Sequence, residues 1–217
     1  MIRNAFITVL ILLAGTLLFS CKNIKADYYP DGSLRSEITM KGGEYQGKAI
    51  FYYANGERQM ECWYESGILD GPMARYYDTG KPKETMYYKE NKPDSLYRFW
   101  NPHGMLMLEC NYKDSLLDGK YTDYYDNGEI KIQGQYVHGL FDGQWFYYDQ
   151  TGHIIGIGKF TNGSGEQKAY YVDGTVKQII RYRDGRKNGK ELIYDPSGNL
   201  TEENEYSNGE LIAAKKY

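Results

Sequence analysis

Any chemistry in this chain must come from three histidines, three cysteines, 29 carboxylates and a large stock of rings, 24 of them tyrosine. His103, His138 and His153 occupy three different positions of the repeat described below. No column of imidazoles forms, and no set of His, Cys and carboxylate converges as a metal would require. They read as surface turn residues, and neither a metal nor another cofactor is expected. The chain holds no Gly-x-Ser-x-Gly, no phosphate-binding glycine loop and no His-Glu-x-x-His. A glycosidase-type carboxylate pair could be drawn from so many acids, but Asp70, Asp142 and Asp173 already have a reason in turn geometry. The expectation is therefore a protein that is not an enzyme. The sharper candidates are rings. Trp63 and Tyr87 stand in a column that otherwise carries Asn111, Gln135, Lys159 and Arg181, and strand counting puts them about 10 Å apart. Tyr53 and Tyr77 form a second column with Tyr125 and Tyr171. Such rings anchor protein interfaces or stack on sugars. The structural alternative is cross-strand packing over the backbone.

The third cysteine, Cys21, ends an apolar run from Ala5 to Phe19 that follows Arg3. A basic start, a short apolar stretch and a small residue make a secretory signal, and the run falls short of the roughly 20 residues of a membrane span. Leu17-Leu18-Phe19-Ser20-Cys21 resembles a bacterial lipobox, although Phe19 is bulkier than the usual residue there. That resemblance implies that residues 1–20 are removed, that Cys21 carries lipid on its sulfur, and that 21–27 is a linker from the anchor. Two or more acyl chains would hold the protein durably. Cys62 and Cys110 share one repeat column two repeats apart, about 19 Å at sheet spacing, too far for a disulfide. They are expected as free thiols filling an apolar face.

The balance of 26 basic and 29 acidic side chains, net −3 with pI ≈ 5.7, argues against a nucleic-acid partner held by charge. Removal of residues 1–20 takes only Arg3 from this balance and leaves 25 against 29, net −4. Hydrophobic residues at 41% and charged residues at 25% argue against a disordered chain.

What must position these residues is a repeat. Glycine recurs at 32, 56, 80, 104, 128, 152, 174 and 198, spaced by 24 except for one interval of 22. Four residues before each stands an aromatic, from Tyr28 and Tyr52 to Tyr194; eight after stands another ring, or Met40 in the first copy. Eleven after comes Gly, Asn or Ser. A fixed period of this length signals a repeat architecture. Asp31-Gly32, Asn55-Gly56, Asn127-Gly128 and Asp173-Gly174 read as two-residue hairpin turns with positive φ at both central positions. Alternation after the turn, as in Ile130, Gly134 and Tyr136 against Lys131 and Gln133, gives a half-buried strand. Segments such as Gly67-Ile68-Leu69-Asp70-Gly71 link one hairpin to the next. The 22-residue interval is assigned to a shorter link at Asn162-Gly163-Ser164-Gly165, with strands of unchanged length. Gly158, Gly163 and Gly165 are read as repeat punctuation. The fold expected over 28–217 is all-β: an extended single-layer antiparallel β-meander of about eight hairpins and about sixteen strands, roughly 70–75 Å long. The columns four before and eight after the turn glycine, for example Tyr124 and Tyr136, would form its scaffold. Stability would be local and additive between neighbours.

Tyr52-Tyr53-Ala54-Asn55-Gly56 followed by Tyr64, Gly67 and Asp70-Gly71 resembles the variant MORN repeat of bacteria. So does Tyr124-Tyr125-Asp126-Asn127-Gly128 with Tyr136, Gly139 and Asp142-Gly143. The fourth copy, Trp100-Asn101-Pro102-His103-Gly104, departs most. The resemblance spans 28–217 and implies an extended β-meander in a lipid-anchored protein of antitoxin or immunity-like role. The function expected is thus a module of the bacterial cell envelope that binds a protein partner, held at a membrane through its lipid, with Trp63, Tyr87, Tyr53 and Tyr77 as binding candidates. The alternative is a module that binds an envelope glycan, and a third is a lipid-anchored hydrolase.

Overall fold

The computed structural model describes residues 23–217, and Cys21 and the leader lie outside them. Nineteen strands form one open antiparallel sheet in which each strand pairs with its neighbours along the chain, and no helix occurs among the described residues. Ile68–Leu69 with Gly71–Tyr76, and Arg186–Lys187 with Gly189–Tyr194, are each one run interrupted by a single residue, so the sheet has seventeen runs. Sixteen make the eight expected hairpins. The seventeenth, Glu210–Lys216, follows the last link. The first strand, Asn23–Tyr28, begins inside the segment read as a linker.

The turn glycines sit where the period puts them, but the turn chemistry is the reverse of that expected. All eight have positive φ, between 78° and 91°, whereas Asp31, Asn55, Asn127 and Asp173 do not. Gly56 N–H bonds Tyr53 C=O and Tyr53 N–H bonds Glu57 C=O. This is a three-residue loop, a type I turn closed by a glycine bulge. The residue before the glycine serves as an acceptor instead: Asp31, Asn55, Asn127 and Asp173 take the N–H two residues on, at 2.9–3.1 Å. The two-residue turns with both φ positive are the links, such as Ser66-Gly67 at 48° and 79° and Asn162-Gly163 at 46° and 76°.

Two bulges then decide which side chains share a face. Beside every turn the register slips by one: Tyr52 faces Arg58, but Phe51 faces Met60. Position two after the glycine is therefore paired with the ring four before it and is out of step with positions six and eight. The rings four before and eight after the glycine, expected to act together, lie on opposite faces. Tyr52 lies on the face of Glu37, to which its hydroxyl donates at 2.8 Å, while Tyr64 packs edge-on against Tyr45 on the other. Beyond several links a second bulge sets three residues against one, as where Leu117 faces Tyr112 and Tyr121 faces Cys110. Ser164–Tyr170 lacks it and pairs without a break. The missing two residues of the 22-residue interval are therefore lost from the strand, which has 7 residues against 9 in Leu140–Tyr148, and the turn is unchanged.

The core is one face of the sheet, built on residues seven before and six after each turn glycine. These face each other in pairs: Ala49 with Cys62, Met73 with Met86, Tyr97 with Cys110, Trp145 with Gly158. In the pairs Tyr97 with Cys110 and Trp145 with Gly158 large opposes small, so the ring lies over a paired strand within the single layer. Trp145 is 2% exposed and lies 5.7, 4.9 and 5.1 Å from the rings of Tyr121, Tyr136 and Phe141. Gly134 and Gly158 are packing glycines, and Gly158 is not the turn punctuation expected. A Cβ on Gly134 would stand 2.2 Å from Trp145 Cδ2, and one on Gly158 2.4 Å from Phe160 Cε2. A Cβ on Gly165 would collide with the carbonyl oxygen of Lys159.

Candidate functional site

Trp63 and Tyr87 fall on the face opposite the core. Trp63 pairs with Lys48 and Tyr87 with Pro72, so the strand Gly71–Tyr76 runs between them. Gly71, with φ of +127°, leaves room for the indole: a Cβ there would stand 2.8 Å from Trp63 Cβ. Trp63, Pro72, Tyr87 and Leu96 line a shallow depression of about 380 Å³ together with Ala74 and Thr85. Tyr87 is 43% exposed and Trp63 half-buried. Polar residues at the same repeat position are tied to the sheet: Asn111 donates to Lys120 C=O at 3.2 Å, Gln135 to Asp142 at 3.3 Å, and Arg181 pairs with Glu166 at 3.5 Å. Among the described residues neither the Trp63 nor the Tyr87 side chain makes a hydrogen bond.

Electrostatics around the depression are balanced. Lys48 Nζ sits 5.4 Å from the Trp63 ring and 3.2 Å from Glu61, and Arg58 reaches Glu61 at 2.6 Å. Glu61 is thus a paired carboxylate, not a free base. The depression can hold an apolar or aromatic group over two rings and a proline. Thr85 and Ser95 are the hydroxyls in its lining, and Glu61 is its one carboxylate.

Tyr53 and Tyr77 are placed differently. Their hydroxyls donate to the backbone C=O of Tyr76 and Trp100, at 2.8 and 2.7 Å. Tyr29, Tyr125 and Tyr171 do the same to Tyr52, Tyr148 and Tyr194. Each tyrosine three before a turn glycine thus ties its hairpin to the next, 23 residues on. A cation from the following strand lies over most of these rings, Lys83 on Tyr77 and Lys177 on Tyr171, both at 5.7 Å. The opposite edge is stitched by backbone: Gly67 N–H bonds Tyr45 C=O, and Gly139 N–H bonds Leu117 C=O. Asp70 and Asp142 accept the N–H of Glu90 and Asn162 in the next link, which gives both aspartates a structural use. Sequence reasoning missed the tyrosine ladder because its acceptor is a main-chain oxygen one repeat away; the 24-residue recurrence of tyrosine was its signal.

Cys62 and Cys110 are free and each is 1% exposed on the core face. Burial pushes the Cys62 thiol up and that of Cys110 to about 11, so neither is a nucleophile at neutral pH. His138 lies 3.4 Å from Asp118 and His153 3.7 Å from Asp149. Among the described residues no three His, Cys, Asp or Glu gather as metal ligands.

No curated protein matches the chain in sequence. The family model described as the MORN repeat variant matches residues 69–90, 117–138 and 187–208. Each window opens eleven residues before a turn glycine and closes ten after it, so it spans one turn with both its strands. At these three positions the hairpin that builds this sheet is similar to the MORN repeat variant.

Proposed function

We propose that this is a lipid-anchored repeat protein of the bacterial cell envelope that acts as a protein-interaction module, in an antitoxin or immunity-like role. Cys21 carries the lipid, and the outer-face depression of Trp63, Pro72, Tyr87 and Leu96 receives the partner. The observation that carries this reading is that two rings stand free of hydrogen bonds in a column where Asn111, Gln135 and Arg181 are bound to the sheet. Trp and Tyr in such positions supply much of the energy of protein interfaces. An open sheet without a deep convergent pocket suits binding over several repeats. A glycan is the weaker occupant, because Glu61, the carboxylate beside the rings, is held by Lys48 and Arg58.

The test is affinity capture from the native envelope with the anchored protein, beside Trp63→Ala and Tyr87→Ala, with melting curves for all three. A specific protein lost from both variants at unchanged melting supports the reading. Retention on insoluble peptidoglycan that Trp63→Ala abolishes would move it to glycan. Fatty-acid labelling should mark the wild type and spare Cys21→Ala; equal labelling would overturn the anchor.

A further inference from the structure

The tyrosine ladder is broken where Asp149 replaces the ring three before Gly152. A tyrosine there would donate to Tyr170 C=O, as Tyr125 does to Tyr148 and Tyr171 to Tyr194. Asp149 instead turns back on its own loop, where Oδ1 accepts Thr151 N–H, Thr151 Oγ and His153 N–H at 2.6–3.0 Å. Ring and cation are lost together: the residue three after the glycine is a cation beside four of the five ladder tyrosines (Arg35, Lys83, Lys131, Lys177), Gln59 beside Tyr53, and Ile155 here. What remains is a cleft of about 470 Å³ lined by Asp149, Ile154, Ile155, Tyr170, Tyr171 and Val172. Its rim is apolar and open, with Val172 fully exposed and Ile154 48% exposed. The other interior break, at Asn101, is bridged by its amide to Asp126 at 3.1 Å.

We propose that this cleft is a second binding site, one that takes a tyrosine side chain of a protein partner, flanked in that partner by a basic residue. The occupant is set by the repeat itself. Five tyrosines of this chain fill the corresponding gap, each with its ring between two turns and its hydroxyl on the carbonyl of the next hairpin. A guest phenol finds the same carbonyl, that of Tyr170, and an isoleucine wall in place of the lysine. Charge complementarity gives the basic neighbour. Asp149 lies in the cleft with the imidazole of His153 3.7 Å from its carboxylate, and Asp173 lies between the lining residues Val172 and Gly174; hydrogen bonds from Thr151 and Thr175 hold both carboxyls below their usual range. The site stands apart from the Trp63 depression, so either can fail without the other.

The probes are N-acetyl-tyrosinamide, N-acetyl-phenylalaninamide and an acetylated Tyr-Lys dipeptide amide, titrated to tens of millimolar against the methyl signals of Ile154, Ile155 and Val172. The tyrosine amide should shift these signals, and the phenylalanine amide should bind roughly 5–10-fold more weakly for want of one hydroxyl bond. The dipeptide should bind more tightly than the tyrosine amide at low salt. Asp149→Tyr should close the cleft, abolish the shifts and raise the melting temperature. Trp63→Ala should leave the titration unchanged. Absence of shifts in the wild-type protein, equal binding of both single amides, no gain from the lysine, or shifts that survive in Asp149→Tyr would each overturn the proposal.

Discussion

Gly134→Ala tests whether the single-layer core depends on large rings seated over missing side chains. The added methyl carbon would lie 2.2, 2.4 and 2.6 Å from Trp145 Cδ2, Cε2 and Cε3, well inside contact distance. The indole cannot retreat, because Tyr121, Tyr136 and Phe141 surround it within 4.9–5.7 Å of ring centroid. Overpacking of this kind costs about 1–3 kcal/mol. Trp145→Ala removes the ring itself and should cost about 3–5 kcal/mol. Trp145→Phe should be much milder, because the indole Nε1 is buried without a hydrogen-bond partner and its loss relieves a penalty of about 1–3 kcal/mol. In the double variant Gly134→Ala with Trp145→Leu, the methyl has space, so the two changes should cost less than the sum of the singles by about 0.5–3 kcal/mol. Urea unfolding of the four variants and Trp145→Leu, with slopes compared as well as midpoints, reads these differences. Additive costs in the double variant, or a Gly134→Ala protein as stable as wild type, would refute the picture of glycine as the seat of Trp145.

Tyr53→Phe and Tyr77→Phe each remove one hydroxyl-to-carbonyl bond and should lower stability by about 0.5–1.5 kcal/mol without weakening partner capture; a loss of capture at unchanged stability would make these rings part of the binding surface. Glu191, 4% exposed, would have its carboxyl raised by burial, but Lys187 at 2.7 Å, Asn204 at 3.1 Å and Tyr206 at 3.2 Å hold it below 4.5. A carboxyl lowered by folding contributes stability above its unfolded value, and this is lost as pH falls through the folded one. Unfolding midpoints of Glu191→Gln should therefore fall less steeply than wild type below about pH 4.5, and parallel curves would contradict the assignment. Cys62 and Cys110 should resist alkylation in the native protein and react together once it is denatured without reductant; a monomer that stays blocked at both would mean a disulfide and a different register.

The period, the hairpins and the single sheet were legible because glycine at positive φ and rings at fixed offsets mark every unit. The type of turn was not, since Asn-Gly serves both a two-residue turn and a glycine bulge, and only the hydrogen bonds of Tyr53 with Gly56 and Glu57 distinguish them. The same bulge hid the faces. Counting by two from Gly128 puts Ile130 with Gly134 and Tyr136, but the slip between Asp123 and Tyr124 pairs Ile130 with Tyr124 and takes both out of the core set. Alternation holds only between bulges, and one extra residue exchanges the faces. The Trp63 and Tyr87 column was legible because it lies on the stretch between two bulges, where counting is safe. Asp149 was visible as a break in the tyrosine column, yet a lone acid in a turn has a sufficient local explanation. Its meaning depends on Ile155, six residues on, which departs from its own column in the same hairpin. Asn101 with Met107 departs in both columns too, but there the Asn101 amide reaches across to Asp126. The distinguishing feature of Asp149 is that its replacement bonds stay within its own loop, which leaves open a surface that a tyrosine fills in five other units.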